Sequence, residues 1–130
     1  NDGLVTIGTK EWKDYKVEST IYFNLHKSGG LVVRSVGHKR YYGAVLMNYN
    51  TAQIFVQKDK NRKILTETEF IYVEDKPYKL QFAAHGRELS FWVNGEEILC
   101  ASDNTYTCGG AGFTISKGTM TCDSFIVLGE

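Results

Sequence analysis

Proline occurs once in these 130 residues, at Pro77, and cysteine three times. A single proline excludes proline-rich linkers and collagen-like chains. The cysteines form no CxxC pair and show no Cys/His spacing that suits zinc. Cys100 and Cys108 bracket "ASDNTYT" and would close a short loop if geometry brought them together, leaving Cys122 over; the alternative is three thiols. Charge of one sign is lacking too. Fifteen Lys+Arg cancel fifteen Asp+Glu, so the electrostatic footprint of a nucleic-acid or anionic-membrane partner is missing. No apolar run approaches the roughly 20 residues that span a bilayer. No stretch reads convincingly as a helix: Lys63 to Glu69 alternates better than it spirals. The chain begins "NDGLVTIG" without a starting methionine and reads as a module of a longer protein.

What the chain does have is alternation. Hydrophobic residues make up 42% and aromatics 13%, enough for a substantial core in one domain spanning residues 1–130. Period-2 segments recur: "DYKVESTIYF", "GGLVVRSV", "RYYGAVLMNY", "AQIFVQK", "RKILTETEF", "YKLQFAA", "ELSFWVNGEEILC", "AGFTIS" and "MTCDSFIVL". Turn residues separate them, and Pro77 stands just before a strand, where a missing N–H does least harm. About ten short strands at this spacing predict an all-β, two-sheet antiparallel sandwich.

The strongest local signal is Asn94-Gly95, which predicts a two-residue type I′ hairpin. That turn pairs Val93 with Glu96, Trp92 with Glu97, Phe91 with Ile98 and Leu89 with Cys100. Leu89, Phe91, Ile98 and Cys100 then share a core face, and Trp92 and Glu97 share the other. Burying an aromatic contributes a few kcal/mol, so an outward Trp92 implies a cover: a loop, another chain or a ligand. A short turn at His38-Lys39 would pair Val36 with Tyr41 and Arg34 with Gly43. Arg34 would then stand above a residue without a side chain, among Val32, Val36, Tyr41 and Val45. A slip of one residue puts Tyr42 in Tyr41's role, and the sequence leaves both registers open. In "SDNTYTCGGAG", Tyr106 is expected at an exposed loop tip, and Gly109, Gly110 and Gly112 permit a sharp turn or a close backbone approach.

The stretches "DYKVE", "GGLVVR", "RYYGAVL", "LSFWVNGEEIL", "GGAGFTI" and "CDSFIVL", in that order, resemble the concanavalin A-like lectin/glucanase superfamily. More narrowly they resemble laminin-G-like and carbohydrate-binding jelly rolls. Similar domains are appended to bacterial ADP-ribosylglycohydrolase-like proteins and to glycan-degrading enzymes. The resemblance implies a jelly roll with one concave face, and sugar on that face or at its rim. It also implies a structural calcium held by Glu18 and Asp123 with loop carbonyls. No cofactor is required.

These readings converge on a non-catalytic carbohydrate-binding module of a larger enzyme. Its partners would be a glycan and the parent catalytic domain. Trp92 would offer a face to the C–H side of a sugar ring, with Arg34 and Tyr41 beside it and His38 and Glu97 at the rim. Arginine and glutamate make charge-assisted hydrogen bonds to hydroxyls, stronger than neutral ones. Two other readings compete. One is a structural or interdomain-packing module whose outer aromatics are covered by protein. The other is a glycoside hydrolase using Glu67 and Glu69, two apart on one strand face, although the third acidic residue and flanking aromatic of the glucanase pattern are missing. The three histidines, His26, His38 and His85, sit in or beside turns without a nucleophile elbow.

Overall fold

Alternation organises the molecule as expected. In the computed structural model, residues 2–7, 12–23, 28–37, 39–73, 76–116 and 120–129 are described, with side chains for 12–22, 29–37, 39–73, 76–112 and 127. The described residues form eleven strands and no helix. In chain order they are β1 (Asp2–Ile7), β2 (Tyr15–Phe23), β3 (Ser28–Gly37), β4 (Arg40–Met47), β5 (Thr51–Lys58) and β6 (Asn61–Glu69), then β7 (Pro77–His85), β8 (Glu88–Val93), β9 (Glu96–Ser102), β10 (Gly110–Ser116) and β11 (Met120–Gly129). One sheet has the order β1-β10-β3-β4-β5-β6 and the other β11-β2-β7-β8-β9. Every pairing is antiparallel. β1 lies outside the alternating segments: in DGLVTI the apolar residues Leu4, Val5 and Ile7 do not keep a strict period of two.

Each strand turns one alternate set inward. Leu31 and Val33 of β3, Tyr42, Ala44 and Leu46 of β4, and Ala52, Ile54 and Val56 of β5 meet Val17, Ile21, Leu80, Phe82, Leu89, Phe91 and Val93 of the facing sheet. A fully buried aliphatic or aromatic side chain contributes roughly 1.5–3 kcal/mol, so this shared layer is the main stabilising term.

The Asn94-Gly95 turn forms as expected, both residues at positive φ (53° and 86°). Val93 pairs with Glu96 and Trp92 with Glu97. Beyond that the predicted register fails. A bulge at Ile98 pairs Phe91 with Leu99, Ser90 with Cys100 and Leu89 with Ala101. Leu99 is therefore the buried residue, and Cys100 faces solvent. One extra residue in a strand reverses the facing of everything after it.

The β3–β4 hairpin departs in the same way. Val33 pairs with Tyr42 and Val32 with Gly43, but Gly37 pairs with Arg40, so Arg34, Ser35 and Val36 bulge out of register. Tyr42 points into the core and Tyr41 outward, which settles the two-register ambiguity. The space above Gly43 holds the Phe55 ring, which a β-carbon there would meet at 2.4 Å. Arg34 does not stand there.

Candidate functional site

Three regions bear on function: the outer faces of the two sheets, and a buried polar hub at one end of the sandwich.

On the six-stranded sheet the outward set of β3, β4 and β5 is itself apolar. Val32, Tyr41, Val45 and Phe55 form a buried cluster, with Met47 packed at its margin. Tyr41 meets Phe55 edge-on at 5.9 Å between ring centroids. A row of polar side chains on β5 and β6 flanks this cluster on the same face. The Gln53 amide, 5% exposed, donates from Nε2 to Glu67 Oε1 at 3.1 Å. The Arg62 guanidinium lies 3.9 Å over the Phe55 ring, and its Nε donates to Gln57 Oε1 at 2.9 Å. Gln57 in turn donates to the Asp59 carbonyl at 2.8 Å. The register explains these pairs, since Gln53 lies opposite Glu67 and Gln57 opposite Arg62. A hollow of about 310 Å³ lined by Asn50, Thr51, Glu67, Thr68 and Glu69 opens at the end of this face. Arg62, Glu67 and Glu69 are exposed, so charged donors and acceptors remain available beside the amides.

On the five-stranded sheet the outward set is mainly polar, with one indole. Glu18 of β2, Gln81 of β7, Trp92 of β8 and Glu97 of β9 stand in one cross-strand row. Gln81 Nε2 donates to Glu18 Oε1 at 2.8 Å, and the Lys79 ammonium lies 3.6 Å from Glu18 Oε2. Trp92 is half-buried, and the Lys16 ammonium sits 5.2 Å from its ring centroid. Lys16 is two strands away from β8, across Ala83. The indole and the lysine therefore meet above β7, where Ala83 is short enough to lie beneath them and is 8% exposed.

Arg34 belongs to neither face. It is 1% exposed and has φ of +53°, in the bulge of β3. Its five N–H donors are all engaged. Nε and Nη2 donate to the Lys13 carbonyl at 3.0 and 2.8 Å. Nη1 donates to the carbonyls of Gly86 (2.6 Å) and Tyr106 (3.2 Å), and Nη2 also reaches Asp14 Oδ1 at 3.2 Å. Its own N–H donates to the Tyr15 hydroxyl, which lies 3.0 Å from the carbonyls of Gly109 and Gly110. A β-carbon on Gly109 would stand 2.4 Å from the Arg34 carbonyl carbon, so glycine alone fits this approach. Burial pushes the Tyr15 phenol up to about 12. The Gly86 N–H and the nearby His85, Arg34 and Lys13 charges hold Asp14 below the usual carboxylate range. Tyr106, expected at an exposed tip, is buried: its hydroxyl donates to the Gln57 carbonyl at 2.7 Å, and its ring meets Tyr42 edge-on.

The expected site residues are therefore not brought together. Trp92 and Glu97 share one sheet, Tyr41 faces outward from the other, and Arg34 is a buried tie between loops. His38 lies outside the described residues. Cys100 and Cys108 are free thiols. For calcium, Asp123 lies at the β11 bulge and its side chain is outside those described. Glu18 accepts from the Gln81 amide and faces the Lys79 ammonium. Among the described residues no three His, Cys, Asp or Glu side chains gather as a metal group. Sequence reasoning missed Gln53, Gln57 and Arg62. The signal was the alternation Gln53, Phe55, Gln57 facing Arg62 and Glu67 across the Asp59-Lys60 turn.

No family model and no curated protein matches the sequence. Solved structures do match it. The carbohydrate binding module CBM66 from Bacillus subtilis superposes with a TM-score of 0.84 at 17% identity, over 98% of this chain and 77% of that one. The Caenorhabditis elegans galectin LEC-6 superposes with a TM-score of 0.71 at 14% identity, over 98% and 95%. The GH43 protein BlXynB from Bacillus licheniformis gives 0.64 at 12% identity, over 91% of this chain but 28% of its own. At these identities the likeness is one of fold. The chain has the concanavalin A-like jelly-roll fold that its strand pattern resembled.

Proposed function

We propose that this chain is a non-catalytic carbohydrate-binding domain, with its sugar surface on the outer face of β4, β5 and β6. The observation that carries the reading is the polar row on that face. Two amides, Gln53 and Gln57, stand on either side of Phe55 along β5, beside a buried apolar cluster, and each is fixed by a charged neighbour, Glu67 and Arg62. Sugar recognition needs few polar groups, preoriented and converging, in a largely preformed site. Fixed amides supply direction, and the carboxylate and guanidinium supply charge-assisted bonds to hydroxyls. Solved structures of similar fold include a carbohydrate binding module and galectins, which supports the same reading. Attachment to a larger enzyme is part of the proposal, and the BlXynB match, in which this fold is a fraction of a longer chain, supports it.

The geometry favours binding over hydrolysis. Retaining hydrolysis needs two carboxyl groups flanking the scissile bond, roughly 5–5.5 Å apart. Glu67 and Glu69 stand side by side on one edge strand, and Glu67 is tied to Gln53.

The test is a glycan array followed by calorimetry on the intact chain. Arg62→Ala and Glu67→Gln are each expected to weaken binding by roughly tenfold, the equivalent of one charge-assisted bond. Unchanged binding in both variants removes the assignment. A second reading, a module that packs against protein, is favoured by three exposed apolar side chains on β6 and the segment after it, Ile64, Ile71 and Val73. It predicts self-association or capture by the parent domain, and loss of either when Ile71→Ser and Val73→Ser are combined.

A further inference from the structure

The indole of Trp92 has no part in the surface just described, because it lies on the opposite sheet. We propose that the outer face of β2, β7, β8 and β9 is a second saccharide surface, selective for neutral glycans, so that one domain holds two sugar segments on opposite sides. The argument starts from Phe91 and Trp92. The first is fully buried, and the second is left half-exposed on a sheet face that is otherwise polar. Lys16 and Ala83 account for part of its surface and leave the rest to solvent.

The groups around the ring decide what would lie there. Lys16 and Lys79 carry positive charge, and Glu18 and Glu97 carry negative charge. Neither sign prevails, which disfavours phosphate, acidic peptide and polyanionic glycan alike. What complements such a face is a neutral molecule with an apolar side for the indole and hydroxyls that both donate and accept. A pyranose or furanose ring has that character. The row from Glu18 to Glu97 spans four strands, three spacings of about 4.8 Å, or roughly 14 Å in all. Its polar groups are thus laid out along a line, as an extended oligosaccharide would require.

The chain has two tryptophans, Trp12 and Trp92, so Trp12→Phe leaves indole emission to report Trp92 alone. That protein would be titrated with neutral gluco-, galacto- and manno-oligosaccharides and with a sulfated glycan. The expected result is a saturable emission change with a neutral oligosaccharide, absent with the sulfated one. It should persist when Arg62→Ala and Glu67→Gln are added, and weaken roughly tenfold in Glu97→Ala. Binding that depends on Arg62 with no emission change overturns the second surface and leaves the first. An emission change with array binding indifferent to Arg62 and Glu67 overturns the first and supports the second. Absence of glycan binding by either readout overturns both. A change elicited equally by the sulfated glycan overturns the selectivity. Trp92→Phe, which keeps an aromatic plane, should retain most of the affinity for an immobilised neutral polysaccharide that Trp92→Ala loses.

Discussion

Arg34 and Trp92 both looked like ligand contacts in the sequence, and the structure sends them in opposite directions. Arg34 is among the largest fully buried side chains and has every donor occupied by its own protein. Trp92 stays on the outside of a sheet, held over Ala83 by a lysine. The difference lies in register. Trp92 sits next to a tight two-residue turn, so counting by twos from Asn94 places it correctly. Arg34 lies in a bulge, where counting by twos fails and a left-handed residue turns the guanidinium toward the loops. A polar side chain at such a point is available to tie loops together and is lost to ligand.

The sharpest way to break this comparison is to remove the guanidinium. Arg34→Met keeps much of the side-chain volume but leaves the carbonyls of Lys13, Gly86 and Tyr106 without that donor in the interior. Breaking a buried charged network from one side costs about 3–5 kcal/mol. Denaturant unfolding should show that loss. A variant that unfolds at the parental midpoint would mean that Arg34 is not the tie described here.

Tyr15→Phe tests the same hub more gently. The phenol oxygen accepts the Arg34 N–H, and the ring packs edge-on against Trp12 at 5.6 Å. Phenylalanine keeps the ring and strands one buried donor, for a loss of about 1–3 kcal/mol. The expected drop in denaturant midpoint lies between that of Arg34→Met and no change.

Alkali probes the interior tyrosines together. Burial is the leading cause that raises Tyr15, Tyr42 and Tyr72 from 10.0 to about 12. Folding thus favours the neutral phenol. Its contribution is complete below pH 10, where the unfolded phenol is also protonated. It is lost as the pH rises from 10 toward 12, where the unfolded chain ionises first. The unfolding midpoint should fall across that window, with tyrosinate absorbance appearing together with unfolding. Ionisation of all tyrosines near pH 10 without loss of structure would contradict the burial.

Much of the fold was legible because period-2 alternation is a direct consequence of the pleat. Strand positions from β2 onward, the I′ turn and the outward placement of Trp92 all follow from it. The hidden parts share one cause. At Ile98 and at Arg34–Val36 extra residues enter a strand, and no local residue type announces them. Gly109 carried a faint signal, since glycine permits the close approach that the bulge at Arg34 needs, but its partner is far away in sequence. Gln53 and Arg62 were readable in principle from the β5–β6 hairpin register. No residue type marks them, because amides and guanidiniums are common on solvated strand faces, and only the pairing across the hairpin shows Gln53 joined to Glu67 and Arg62 to Gln57.

The smallest expected effect separates scaffold from surface most clearly. Trp92→Ala removes one cation–π contact and uncovers Ala83, and Trp92 is not one of the residues of the inner core cluster. Its stability cost should be about 1 kcal/mol, within the range for an exposed cation–π pair plus limited packing. Phe91, one residue earlier, is fully buried, and truncating it belongs in the range of about 3–5 kcal/mol. Unfolding curves for the two variants in the same buffer compare adjacent residues on opposite faces of one strand. A loss for Trp92→Ala matching that of Phe91→Ala would make the indole a structural element. A small loss, together with weakened retention on neutral polysaccharide, leaves the exposed ring to be explained by what it binds.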